Sequence, residues 1–401
     1  REGFSRRLGQ ILGQQLGQNV QLPDVSVRDE LDRFDVGFDA MWELDLWGQR
    51  RHSIRAANDV IEATVADYDD VLVSLTGEVA ASYLQIRTLQ QRQQLTEANI
   101  ASLEYASAHA SSELGASLLQ TLLADTRATL PALEAAQQQT SNSLCVLLGE
   151  PPQRLADLLG GPGEIPAAPA GVAMGVPADL LRRRPDIRAL ERRVAAQCEQ
   201  IGRREAMAYP SLSLLGGLGL TSSNIDTLFE SGSFRWAYGG AVKWSLLLIP
   251  AFRDLARIED AEFQSLLLEY EQAIYQAAAE AENAAVAFSS SNTQLTPRAE
   301  SAAAARHSVD LALASGDAAS VRLAYSDFVS QQDLLLQTQS DAAMNLVALY
   351  KALGGGWQIR EGRPFISPDT LREMQERTNW GPYLTPETTG VPTTASQEAQ
   401  P

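Results

Sequence analysis

From Phe34 to Leu46 every even position is apolar: Phe34, Val36, Phe38, Ala40, Trp42, Leu44 and Leu46. The odd positions between them carry Asp35, Gly37, Asp39, Met41, Glu43 and Asp45. Period two is the mark of a strand, because successive side chains leave an extended backbone on opposite faces. At about 3.3 Å per residue the run would reach roughly 40 Å, whereas strands in globular domains average about 5–6 residues. The pattern returns in SFRWAYGGAVKWSLLLIP, where Phe234, Trp236, Tyr238, Val242, Trp244, Leu246 and Leu248 hold the even positions and Arg235, Lys243 and Ser245 face the other way. In SLSLLGGLGL, Leu212, Leu214, Leu218 and Leu220 oppose Ser211, Ser213, Gly217 and Gly219.

After each aromatic strand the period changes to about three and a half. Ile61, Val65, Tyr68, Leu72, Leu75, Val79, Ser82, Ile86 and Leu89 step by four and three, and so do Phe263, Leu267, Tyr270, Ile274, Ala277, Ala281, Ala284 and Phe288. Both runs are read as coiled-coil seams packed in a core. Between Gln49 and Glu113 the chain has no proline and a single glycine, Gly77, so a helix of about 65 residues, roughly 95 Å long, is predicted. Pro297 lies within the second helical run and is expected to kink it. Gly115 and Gly316 read as turns that reverse the chain into antiparallel pairs, and the returning segments end at LCVLLGE and LYKALGGGW. Trp42 precedes Gly115, and Trp244 precedes Gly316, by nearly the same interval, which points to an internal duplication.

The predicted organisation is a loop at 1–32, a transmembrane strand at 33–48 and a helical hairpin at 49–150. A Pro/Gly/Ala-rich linker at 151–178 leads to a helix at 179–208, with Pro185 in the first turn of its main segment. A transmembrane β-hairpin at 209–250, a second helical hairpin at 251–353 and a polar, loose tail at 354–401 complete the chain. The first half lacks the helix and strand that open the second, and the chain begins at Arg1 without an initiator methionine. It is therefore expected to be a fragment whose missing elements lie upstream.

Composition narrows the function. The 50 Asp and Glu against 32 Lys and Arg, net charge -18, disfavour nucleic acid, whose phosphates are bound through clustered cations. The short basic run Arg182–Arg184 reads as a solvated helix face. Cys145 and Cys198, far apart in sequence, read as small buried hydrophobes, with a disulfide open to them only if the fold brings them together. His52, His109 and His307 stand without ligand spacing, so no metal is expected. GGLG at 216–219 lacks the spacing of a phosphate loop and reads as strand glycine, while GGGW at 354–357 reads as a helix terminator with an aromatic anchor. No Ser-His-Asp or Cys-His set has a recognisable context, so neither enzymatic activity nor a cofactor is expected.

No stretch of 18 apolar residues is present, which excludes a spanning helix but not barrel strands, whose alternation escapes a hydropathy search. Strands in hydrocarbon must close into a barrel, because each unpaired edge group costs several kcal/mol, so three or four strands per chain require several copies. On this reading Asp35, Asp39, Glu43, Asp45, Arg235 and Lys243 face an aqueous lumen. Phe34, Phe38, Trp42, Trp236, Tyr238 and Trp244 face lipid and its interfaces.

WELDLWGQRR (42–51), LLRRRPDIRALE (180–191), IGRREAMAYPSLSL (201–214), IPAF (249–252) and LYKALGGGW (349–357) together resemble the signatures of the outer-membrane efflux channels of Gram-negative bacteria, in particular the lipoprotein channels that serve resistance-nodulation-division pumps. The resemblance runs in order from about residue 33 to residue 357. It implies an α+β membrane protein in the bacterial outer membrane with a large periplasmic portion: a homotrimer that joins a twelve-stranded transmembrane β-barrel to a long α-helical coiled-coil barrel. It further implies an equatorial belt from the linker, chain ends and shorter helices, with a periplasmic adaptor and an inner-membrane transporter as partners at the helical tips. The family's first helix and first strand are expected upstream of Arg1, together with its lipidated N-terminal cysteine, so any lipid anchor would belong to the full-length protein. Family members often carry an aspartate ring about nine residues after the turn glycine; here Tyr325 holds that place, with Val321 a turn earlier and Asp327 two residues later. An aperture is expected around Gly115 (113–120) and around Gly316, Val321, Tyr325 and Asp327 (314–327). The leading function is passive export of drugs, toxic compounds or metal ions. The alternatives are a soluble or peripheral coiled-coil scaffold, a type I protein-secretion channel on the same architecture, and an enzyme using the acidic face as acid or base.

Overall fold

The computed structural model describes residues 33–110, 112–152, 159, 163–169, 183–315, 317–360 and 366–379. Two compact units emerge: one takes in the chain to Gln49 together with Ala206–Pro250, the other Arg50–Glu205 together with the chain from Ala251 onward.

The first unit is an antiparallel sheet of β1 (Phe34–Leu44), β2 (Ser211–Ser222) and β3 (Phe234–Lys243), in the order β1-β2-β3. The register pairs even with even and odd with odd on both ladders, Phe38 with Leu218 and Leu218 with Trp236, Asp39 with Gly217 and Gly217 with Ala237. The alternating faces of the three sequences therefore merge into two continuous surfaces. Where β1 crosses β2, Gly37 stands opposite Gly219, and a Cβ on either would collide with partner backbone. The link between β2 and β3 folds into two 3₁₀ turns, Ile225–Thr227 and Ser231–Ser233, closed over buried Leu228 by a Ser233 hydroxyl that donates to the Thr227 carbonyl at 2.7 Å.

Two strands are shorter than their alternation predicts. β1 stops at Leu44, where the Leu46 amide folds back to the Leu44 carbonyl (2.9 Å), and Gly48 at φ 81° turns the chain into a helix. β3 stops at Lys243, and Leu246–Leu248 form a 3₁₀ turn. Leu46, Trp244, Leu246 and Leu248 continue the apolar rhythm but belong to turns, and Asp45 also lies past the strand end.

The second unit is helical. α1 (Gln49–Ala108, 60 residues) and α2 (Glu113–Leu147, 35 residues) form one hairpin; α4 (Ile249–Ser315, 67 residues) and α5 (Ala318–Ala352, 35 residues) follow α3 (Pro185–Ala206). Pro297 is carried inside α4 and Pro131 inside α2. The first turn is displaced from its predicted place. Ser112 is the N-cap of α2, its hydroxyl accepting the Gly115 amide at 3.1 Å, so Gly115 is a buried residue of the helix and not the reversal itself. Gly316 lies outside the described residues; α5 begins with Asp317 as N-cap, its carboxylate accepting the Ser320 amide at 3.0 Å. That bond set, led by the Ser320 hydroxyl, holds the Asp317 carboxyl below its ordinary range. The tail, expected loose from 354, contains a 3₁₀ turn at Trp357–Arg360 and α6 (Pro368–Arg377), capped by Ser367 with Pro368 in the first turn. The predicted loop at 1–32 and most of the linker at 151–178 lie outside the described residues.

The heptad stripe proposed for α1 is buried only toward its far end, at Ile86 and Leu89. Ile61 and Tyr68 are exposed, while Ala56, Ala63, Ala66, Asp69 and Val73 are buried. Small side chains let a neighbouring helix approach closely, and α3 is tied to this stretch by ion pairs, Arg192 with Asp59 (3.6 Å) and Glu62 (3.1 Å) and Arg193 with Asp67 (2.7 Å). Further along α1, Ile86 packs with Leu144 and Cys145 of α2. Thr88 donates to Ser340 of α5 at 2.8 Å, and Arg92 grips Asp333 through two bonds of 2.7 and 2.6 Å.

Candidate functional site

The sheet presents two chemically distinct faces. On the even face Phe38, Trp42, Trp236 and Tyr238 stand exposed on the surface of the sheet, Phe34 is half-buried, and the Trp236 and Tyr238 rings stack 5.6 Å apart. At the end of the sheet where β1 and β3 finish, two indole N–H groups are tethered to the segment entering β2: Trp47 to the Pro210 carbonyl (2.8 Å) and Trp244 to that of Ala208 (3.1 Å), with Trp47 stacked on Tyr209 at 4.6 Å. Trp244 is thus an anchored residue beyond the strand, half exposed. Trp47 and Tyr209 were missed because neither falls on the alternating register; their place in the WELDLW and MAYPS runs was the available signal.

The odd face carries the charges. Asp35 receives the Thr221 hydroxyl and an ion pair from Arg33 at 2.8 Å, and Arg235 reaches Thr221 at 3.4 Å. Asp39 leans across β2, since a Cβ on Gly217 would lie 2.9 Å from its Oδ1. Glu43 is opposite Ser213, and Lys243 is opposite Ser211, whose hydroxyl reaches the Lys243 carbonyl at 3.4 Å. Asp35, Asp39, Glu43, Arg235 and Lys243 therefore share one face, and Asp45 is outside it. Thr221 had no charge to draw attention to it.

In the helical unit the two hairpin ends meet in one apolar cluster. Leu103 and Ala106 of α1, Leu119 and Leu123 of α2, Ala305, Val309 and Ala312 of α4, and Val321, Tyr325 and Phe328 of α5 are all buried together. Val321 and Tyr325 are thus packing residues within this chain, 6% and 7% exposed, whereas Asp327 is exposed and accepts a bond from Gln331 at 3.4 Å. Burial, with the Asp310 charge nearby, raises the Tyr325 phenol above its ordinary pKa.

A second polar centre joins residues far apart in sequence. Asp69 is fully buried and holds Arg360 by two bonds (2.6 and 3.0 Å), with Arg188 at 3.9 Å. Arg188 lies 5.4 Å over the Trp357 ring, and the Trp357 indole donates to the Arg183 carbonyl at 3.1 Å. Arg184 is not on a solvated face: it is 12% exposed, pairs with Asp186 (2.7 Å) and Glu280 (2.9 Å), and donates to the Ala352 carbonyl. Gly354 (φ 72°) and Gly356 (φ 120°) make the bend that permits this; a Cβ on Gly354 would lie 3.0 Å from the Arg184 Cα, and one on Gly356 2.5 Å from the Thr76 hydroxyl. Residues 183–188 and 354–360 are therefore two halves of one clamp on α1. Beside it, burial and then repulsion from Asp186 raise the Asp70 carboxyl above its ordinary pKa. A raised carboxyl opposes folding while ionised, and the penalty fades as the pH falls toward the unfolded value. Asp70→Asn is accordingly expected to raise the melting temperature at pH 7 and to lose that advantage on acidification, a comparison that thermal melts across pH will check.

Elsewhere His52 pairs with Glu199 at 2.6 Å, and of the two cysteines read as buried only Cys145 is, Cys198 being exposed. Among the described residues no three His, Cys, Asp or Glu converge as a metal site, and no helix is long and apolar enough to cross a membrane.

A profile of the family described as outer membrane efflux protein matches residues 16–150 and 176–355. The solvent efflux pump outer membrane protein SrpC of Pseudomonas putida is 31% identical over 381 residues, which cover 89% of this chain and 79% of that protein. The pyoverdine export outer membrane protein OpmQ of Pseudomonas aeruginosa is 29% identical over 359 residues, 83% of this chain and 72% of that one. Among solved structures, the outer-membrane channel OprN superposes with a TM-score of 0.77 at 28% identity, covering 88% of this chain and 86% of that chain.

Proposed function

The chain belongs to the outer membrane efflux protein family and resides in the bacterial outer membrane; from that premise we propose that it is the passive outer-membrane conduit of a tripartite efflux system, exporting small molecules delivered by an inner-membrane transporter through a periplasmic adaptor. One observation carries the reading: the shared even-odd register, which gathers the exposed aromatics of β1 and β3 and the leucines of β2 on one face and the charges on the other. A sheet so divided fits a wall with lipid on one side and water on the other. Its outer strands, β1 and β3, have backbone edges that hydrocarbon would penalise, so closure calls for further strands, and three copies of a four-stranded chain would supply twelve. The two hairpins, each ending in a helix of 35 residues, support the internal duplication. Their ends would form the periplasmic aperture, with exposed Asp327 a better candidate for its lining than Val321 or Tyr325.

Energy coupling stays with the pump; solute diffuses through the lumen once the aperture opens. Carboxylates on the odd face raise the local concentration of cations. In planar bilayers the full-length protein is expected to pass K⁺ in preference to Cl⁻, and a D35N/D39N/E43Q variant to lose most of that preference. Anion preference in the unaltered protein would reject the lumen assignment. Imaging the detergent-extracted protein should show threefold symmetry, and a monodisperse particle in buffer without detergent would favour a scaffold instead.

A further inference from the structure

Two residues break the polar run of the odd face, and they break it at the same level. Met41 is the only large apolar side chain among the odd positions of β1, Leu215 the only one among those of β2, and the register sets them directly opposite each other. Across the next ladder Leu215 is opposite Gly239, where a Cβ would meet nothing within 4 Å, so the third strand leaves open space beside the leucine. Met41 is 74% exposed and Leu215 41%. Asp39, the next residue of that face along β1, leans across Gly217, the neighbour of Leu215 along β2. A thioether, an isobutyl group and a carboxylate therefore share one patch.

We infer that this patch, Met41 and Leu215 with Asp39 beside them, is a contact site on the lumen wall for organic cations that carry an apolar body. The inference rests on the proposed conduit, in which the odd face lines the lumen and the patch repeats in each copy as a belt. The chemistry selects the occupant. A small inorganic cation gains from Asp39 but, holding its hydration shell, nothing from Met41 and Leu215. A neutral solute gains only the apolar contact, and an anion is repelled. An ammonium with alkyl arms satisfies both parts, and methionine, unbranched and polarisable, adapts to arms of different shape. The open space at Gly239 gives those arms room.

The test uses the full-length protein in planar bilayers, with tetraethyl-, tetrapropyl- and tetrabutylammonium as probes of K⁺ current. Full burial of a methylene is worth about fourfold in affinity; for a wall contact about half buried, about twofold per methylene is expected. Block constants, each referred to that variant's own K⁺ conductance, should strengthen along the series in the unaltered channel. M41S/L215S should flatten the dependence on arm length, whereas D39N should weaken all three probes by a similar factor. If M41S/L215S does not assemble, the single variants M41Q and L215Q serve the same comparison. Block that ignores arm length, or an equal dependence in the variants, overturns the inference and leaves the conduit intact. Absence of any conductance from the unaltered protein removes both.

Discussion

Replacing Asp69 by alanine is expected to free the segment from Gly354 to Arg360 while the long helices persist. Asp69 is fully buried, and its carboxylate is the counter-charge for Arg360, itself only 17% exposed, with Arg188 at 3.9 Å. Removing one partner of a buried pair leaves the other charge without compensation, a loss of about 3–5 kcal/mol. The cost falls locally. Arg360 sits in the 3₁₀ turn beside Trp357, and that turn is joined to α1 through Asp69 and to the start of α3 through Arg188 and the Arg183 carbonyl. Hydrogen exchange on the detergent-purified protein should therefore speed up by roughly two to three orders of magnitude at 354–360, with little change in the middle of α4. D69L/R360L, which removes both charges, should be less damaging than Asp69→Ala, because packed apolar pairs often replace buried ion pairs at little cost. Unchanged protection at 354–360 in D69A would mean that the glycine bend and Trp357 hold the segment without the ion pair.

The sheet was readable because a one-residue slip would have moved every aromatic to the wrong face, so the alternation carries the register with it. It failed at the strand ends for the same reason: Leu46 and Trp244 keep the rhythm, and only the Leu46 amide folding back on Leu44 shows that the strand has stopped. In the helices, hydrophobicity pointed to Ile61 and Tyr68, yet the buried positions there are Ala56, Ala63 and Ala66, which score weakly in any search for large apolar residues. Gly115 drew attention as a breaker, although Ser112, three residues earlier, held the capping signal. The start of α6 was legible in Ser367-Pro368-Asp369 but was lost in a polar tail. Contacts such as Asp69 with Arg360, 291 residues apart, left no local trace. A charge destined for burial looks in sequence like any other charge.

Gly219→Val is expected to abolish assembly in the outer membrane, and Gly216→Ala to be tolerated, although the two glycines lie in one motif. At Gly219 a Cβ would sit 2.6 Å from the Val36 carbonyl oxygen and 2.9 Å from the Gly37 Cα; at Gly37, opposite, it would sit 2.7 Å from the Leu218 carbonyl oxygen. These are backbone atoms of the partner strand, so no rotamer change relieves the overlap and the ladder between β1 and β2 must part. Gly216 lies on the even face, and a Cβ there meets nothing within 4 Å. In water a parted ladder would be solvated, but in hydrocarbon each orphaned group costs several kcal/mol. A loss of even about 3 kcal/mol amounts to more than a hundredfold in an assembly equilibrium. Unboiled electrophoresis of outer-membrane fractions should show the folded oligomer for the unaltered protein and for G216A, and none for G219V. Folded G219V at the unaltered level would show that this glycine pair is not a close approach between strands, and the register of β1 on β2 would have to be redrawn.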